Sequence, residues 1–236
     1  MNKPTLINPD FFPDGKTHFL IDGPAGALEL MTTTPKEDLQ KGVGIMCHPH
    51  PLYDGSMTNK VVHTVLRAFD SFGLKTVRFN FRGVGFSEGA FADAKGETDD
   101  LFRVIEWVQA RDLGPIWLGG FSFGAFVAAS GANQIEVKQL ITVAPVVTSY
   151  DFDSLTKIAA PWLIVQGAED ELIDSKKVFD WALKASSEYY QKINNDQAPS
   201  PYTILQKNLA YKLVFHKIYQ RFGGRIRFVA GQADGR

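Results

Sequence analysis

The residues best suited to chemistry lie in Gly119-Gly120-Phe121-Ser122-Phe123-Gly124, where Ser122 is centred in a G-x-S-x-G pattern. The apolar run Ile116-Trp117-Leu118 leads into it, and the small-residue run Ala125-Phe126-Val127-Ala128-Ala129 follows. Bare matches to the pattern arise by chance. A strand before and a helix after separate this one from a plain glycine-rich turn. In a strand-to-helix elbow the serine hydroxyl projects from a sharp turn at the strand's carboxyl end, and a Cβ at either flanking glycine would meet neighbouring backbone. The helix start supplies oriented N–H groups, so the Phe123 N–H is expected to stabilise the oxyanion of a tetrahedral intermediate.

A second oxyanion donor is expected in the loop Cys47-His48-Pro49-His50-Pro51-Leu52-Tyr53, which follows the apolar run Val43–Cys47. Proline has no N–H, which leaves His50, Leu52 or Tyr53, and Leu52 is the choice. His48 and His50 could instead form a metal pair, but no further Asp, Glu or His at ligand spacing accompanies them, and no metal is expected. The acid of a triad is sought after a later strand. Trp162-Leu163-Ile164-Val165-Gln166-Gly167 runs into Glu169-Asp170-Glu171, and Asp170 is the best candidate to orient a histidine. Glu169 or Glu171 could serve, and a solvated acidic loop is the plainer alternative.

The elements that must position these residues alternate short buried strands with helical segments, as in a mainly parallel sheet with helices on both faces. Strands are predicted at Val43–Cys47, Lys75–Phe81, Pro115–Gly120, Gln139–Val143 and Trp162–Gln166. Helices are predicted at Asn59–Phe72, Glu97–Ala110 and Asp174–Ser186. Thr17–Asp22 and Ala27–Thr33, around Gly23-Pro24-Ala25-Gly26, read as an antiparallel hairpin that opens the sheet. One α/β domain, Thr17 to Ser187, accounts for all of this. Residues 188–236 differ in texture.

Composition excludes several classes. Twenty-five basic against 26 acidic residues give a net charge of −1, without the basic excess that a nucleic-acid partner calls for. Cys47 is the single cysteine, so neither an internal disulfide nor a paired-thiolate site can form. Met1–Asp10 has no apolar leader core, and no apolar run approaches the ~20 residues that span a bilayer, so a cytoplasmic protein without a membrane partner is expected.

Four features together resemble the α/β-hydrolase superfamily, and more narrowly a group of small, cap-less bacterial hydrolases. They are His48-Pro49-His50-Pro51-Leu52-Tyr53, the run Thr76–Ser87 containing Arg82-Gly83-Val84-Gly85, the elbow Gly120–Gly124, and Val165-Gln166-Gly167. The resemblance covers about residues 17–187. It implies a serine nucleophile, an Asp–His relay and hydrolysis of an acyl bond in a small-molecule substrate, without a cofactor. Val147 and Trp162 are too close in sequence for a lid domain between them, so the site is expected to be open.

The sequence departs from that pattern at the histidine. Of five, His18, His48, His50 and His63 precede Ser122, whereas the superfamily order is Ser, Asp, His. His216 remains, at the end of Tyr211-Lys212-Leu213-Val214-Phe215, which reads as a last strand. Two accounts stand. Either residues 188–236 are an insertion followed by a true last strand, with His216 as base, or they are an altered tail that leaves the sheet edge near Trp162–Gln166 exposed and Ser122 without a base. The first gives a carboxylesterase-like serine hydrolase, or an amide hydrolase with the same residues. The second gives a non-catalytic binding module. Arg78 and Arg82 are expected to pair with surface carboxylates.

Overall fold

The computed structural model describes residues 4–36, 40–167 and 226–229. Eight strands form one sheet: β1 Lys16–Gly23, β2 Gly26–Thr33, β3 Val43–Cys47, β4 Lys75–Phe79, β5 Ile116–Phe121, β6 Gln139–Val143, β7 Trp162–Gly167 and β8 Ile226–Val229. Their order across it is β1-β2-β4-β3-β5-β6-β7-β8. The β4-β3-β5-β6-β7 centre is parallel, while β1–β2, β2–β4 and β7–β8 pair antiparallel. The expected hairpin, parallel core and absence of a lid between β6 and β7 are all present. That connection holds only a short 3-10 turn, Phe152–Ser154.

Alternation along the strands makes two cores. Ile45 and Cys47 of β3 face one side and Met46 the other; on β6, Leu140 faces the first side, Ile141 and Val143 the second. Helix α1, Lys60–Ser71, covers the second side. Val62, Val65, Leu66 and Phe69 recur at i, i+3, i+4 and i+7, the spacing that puts four apolar side chains on one stripe. Each such burial contributes about 1.5–3 kcal/mol. Asn59 caps this helix, its Oδ1 accepting the Val61 N–H at 2.8 Å.

The first side is covered by α2, Lys95–Gln109, and α3, Phe123–Ala132. Helix α3 is apolar all round, as a helix enclosed by sheet and neighbour must be, and its Ala and Gly residues let it lie close to both. A Cβ on Gly131 would stand 2.8 Å from Leu101 of α2.

Two expectations change here. The outer edge of β7 is not open: β8 pairs along it from Ile164↔Val229 to Gly167↔Ile226. The predicted strand Tyr211–Phe215 and helix Asp174–Ser186 lie outside the described residues. The arginines also differ from expectation. Arg82 meets not a surface acid but Asp100, wholly buried on α2, through Nη2–Oδ1 at 2.7 Å and Nε–Oδ2 at 3.1 Å, and Asp100 Oδ2 also accepts the Arg82 backbone N–H. Arg78, only 6% exposed, has no carboxylate partner among the described residues.

Losing one member of a buried, bidentate pair leaves the other charge uncompensated. Asp100→Ala is therefore expected to lower unfolding free energy by about 3–5 kcal/mol, read from urea denaturation. A loss below about 1 kcal/mol would show the pair to be energetically equivalent to an exposed one.

Candidate active site

Ser122 stands at the junction of β5 and α3 with φ 56° and ψ −117°. Positive φ at a non-glycine residue costs on the order of 1–3 kcal/mol, so the surroundings must impose it. They do so by close backbone approach. A Cβ on Gly120 would lie 2.0 Å from the Gly124 carbonyl oxygen, and one on Gly124 would lie 2.3 Å from the His48 oxygen and 2.5 Å from that of Cys47. The helix start is thus pressed against both the end of β5 and the end of β3, and the chain between must turn at Ser122. The Ser122 N–H donates to Val143 O at 2.9 Å, fastening the turn to β6.

A serine preceding a helix ordinarily caps it with its hydroxyl. Ser122 makes no such bond, and its half-buried Oγ has no hydrogen-bond partner among the described residues. The Phe123 N–H, in the first turn of α3, likewise meets no protein acceptor there. Two other serines are engaged: Ser87 Oγ donates to Asn80 O and accepts from Glu29 N, and Ser56 bonds Thr58.

The 48–55 loop lies against the same turn. His48 is fully buried, its Nε2 accepting the Phe81 N–H at 3.0 Å and its Nδ1–H donating to Pro49 O at 2.6 Å. Burial pushes its pKa down to about 4, opposed by the Pro49 hydrogen bond, so the ring is neutral at pH 7. The His50 ring packs, tilted, against Tyr53, Phe91 and Phe123 at 4.8, 4.8 and 4.9 Å between centroids. Both His48 nitrogens are engaged with backbone groups, so His48 has no free ring nitrogen to pair with His50 on a metal.

The Leu52 N–H donates to His50 Nδ1 at 3.1 Å, and the Tyr53 N–H to His50 O at 3.1 Å. Of the three candidates, that leaves the His50 N–H without an acceptor among the described residues. The signal was in the sequence. Proline favours the first position of a helical turn, so the residue before Pro51 is the cap, and a cap's side chain takes the N–H of the second position, here Leu52.

Aromatic side chains form one wall beside the turn: Phe123 packs on Phe81, Phe91 and Tyr150, and Tyr150 stacks on Phe126 at 4.9 Å. Burial lowers the His50 pKa while the charges of Glu97 and Asp93 oppose it. Burial first, then Asp93 and Glu97, raise that of Tyr150. Leu52 and Tyr53 are largely exposed at the rim. Asp170 and His216 lie outside the described residues. No described helix is long and apolar enough to cross a membrane.

The sheet order, the strand–serine–helix junction and the lid-less β6–β7 connection define an α/β hydrolase. The chain belongs to the X-Pro dipeptidyl-peptidase (S15) family, which residues 27–154 match. It is 50% identical to an α/β serine hydrolase homologue of Coxiella burnetii, with a TM-score of 0.69, over 71% of this chain and 81% of that one. A lid-less α/β serine hydrolase of Xanthomonas campestris is 42% identical, with a TM-score of 0.70, over 74% and 80%. An uncharacterized protein of Rickettsia prowazekii (strain Madrid E) is 32% identical over 176 residues, 71% of this chain and 72% of that one.

Because His48 is neutral when buried and charged when unfolded, the unfolded chain binds the extra proton between pH 6.5 and about 4. Its contribution to stability is whole above pH 6.5 and falls as the pH drops towards 4, by on the order of 3 kcal/mol. Urea unfolding across this range reads the loss. The imidazole nitrogen shifts of His48 are expected to stay those of the neutral Nδ1–H tautomer at pH 5.5, and a charged ring there would refute the assignment.

Proposed function

We propose that this protein is a cytoplasmic, carboxylesterase-like serine hydrolase that cleaves the acyl bond of a small ester through an acyl-enzyme. The observation that carries the reading is Ser122: a strained apex between strand and helix whose hydroxyl is committed to nothing described, beside an uncommitted helix-start N–H. Ser122 Oγ attacks the ester carbonyl carbon while His216 takes its proton, and Asp170, three residues beyond β7, orients the imidazole. The tetrahedral oxyanion is held by the Phe123 N–H and, in place of Leu52, by the His50 N–H. His216 then protonates the departing alcohol, and a water activated by the same histidine releases the acid. The assignment of His216 is supported by the engagement of two other histidines in structure: His48 as above, and His18 on Glu29 at 2.6 Å.

The open site and the aromatic wall suit a small or extended acyl group rather than a lipid aggregate. A second reading, hydrolysis of a peptide or amide bond by the same residues, is favoured by the family match over residues 27–154.

Fluorophosphonate labelling followed by peptide mapping is expected to place the adduct on Ser122. A label on Ser56 or Ser87 would overturn the assignment. With p-nitrophenyl butyrate as substrate, Ser122→Ala and His216→Ala are each expected to lower kcat by several orders of magnitude, roughly equally, because triad members act as a unit. An active His216→Ala enzyme would remove His216 as base. Faster turnover of Gly-Pro p-nitroanilide than of the ester would select the peptidase reading, and unlabelled, inactive protein would select a binding module.

A further inference from the structure

Arg78 raises a question that the hydrolytic site does not answer. It sits on β4 on the α1 side of the sheet, opposite Val77 and Phe79, and is buried. Guanidinium groups at such depth are ordinarily matched by a carboxylate. Arg78 instead donates to Met57 O at 3.3 Å, approaches Met31 Sδ at 2.7 Å and lies against the His63 ring, at 3.0 Å from Nδ1. All three partners are neutral.

His63 in turn belongs to a face of α1 on which Lys60, His63, Thr64 and Arg67 recur at helical spacing, and with Thr58 they line an open groove of about 340 Å³. The charged groups that act on His63 are Arg78, Lys16 and Arg67, every one a cation. In a chain of net charge −1, this leaves one small region with Lys16, Lys60, Arg67 and Arg78 and, among the described residues, no acid acting on its central histidine. Water and salt screen the exposed Lys16, Lys60 and Arg67, yet their summed positive potential attracts an anion to the groove. The Lys60 ammonium, the Arg67 fork and the Thr58 hydroxyl suit the several acceptor oxygens and double charge of a phosphate better than a single carboxylate, which one arginine satisfies; the Thr64 hydroxyl already donates to Lys60 O and lines the groove as an acceptor.

We propose that this groove, built from Thr58, Lys60, His63, Thr64 and Arg67 and backed by Arg78, binds the phosphate group of a small phosphorylated ligand. The site is separate from Ser122 chemistry and does not depend on the hydrolase reading. Lys60 and Arg67 are exposed, so they can be replaced without disturbing the core.

The test titrates inorganic phosphate into the full chain by calorimetry, with ionic strength held constant by sodium chloride. Saturable one-site binding is expected, weakened at least about tenfold by Lys60→Ala and by Arg67→Ala, which each remove a charge-assisted contact. Ser122→Ala and Lys138→Ala, the latter an exposed residue outside the groove, are expected to bind as the unaltered protein does. Phosphate binding no tighter than chloride would overturn the proposal, as would full binding by the double variant Lys60→Ala/Arg67→Ala. Loss of binding in Ser122→Ala would move the phosphate to the hydrolytic site. Capture by phosphatidylglycerol vesicles without binding of free phosphate would make the groove a membrane contact and equally end it.

Discussion

Everything near Ser122 depends on one steric constraint, the absence of side chains where β3, β5 and α3 converge. With atoms standing 2.0 Å and 2.3 Å from where the Cβ atoms of Gly120 and Gly124 would be, neither position tolerates even a methyl group. The approach fixes the angle at which α3 leaves the sheet. It also forces the residue between strand and helix into positive φ, which turns the Ser122 hydroxyl away from the capping role a serine would otherwise take. The cost of that backbone is borne by the apolar burial of α3, which is packed on the sheet on one side and on α2 on the other.

The loop opposite Ser122 is held by a second device of a different kind. His48 bridges two strand ends, accepting from Phe81 beyond β4 while remaining attached beyond β3, and its neutral ring suits a site where a charge would be uncompensated. Next to it Glu29 accepts from Asn80 Nδ2 and the Phe86 N–H, both at 2.7 Å, and Asn80 Oδ1 accepts the Met57 N–H. These buried bonds are mutually satisfied, so the loops after β3 and β4 are positioned by a polar network rather than by apolar packing alone. Arg78 and Arg82, four residues apart, end in opposite environments. Arg82 lies past the strand and turns to Asp100 on α2, whereas Arg78 is held by the pleat on the α1 side, where no carboxylate among the described residues answers it.

By itself the sequence determined the architecture and the place of the nucleophile. Short apolar runs alternating with amphipathic segments admit few arrangements, and the predicted β3 and β6 match the structure at both ends. Gly120 and Gly124 were legible because only close backbone approach calls for paired glycines between a strand and a helix. The end of β4 was less so: Phe81 continues the alternation of Val77 and Phe79, yet β4 ends at Phe79, and the Phe81 N–H donates to the His48 ring instead of to a neighbouring strand.

Only the tertiary structure decided where individual polar groups are engaged. Spacing shows that Leu52 has an N–H but not that the His50 ring occupies it, and it shows Arg78 and Arg82 as equivalent cations although a buried acid on α2 reaches one of them alone. Periodicity records which residues share a face of one element. Which donor meets which acceptor depends on how separate elements lie against each other, and Arg82 and Asp100, eighteen residues apart, become partners only when α2 is laid on the sheet.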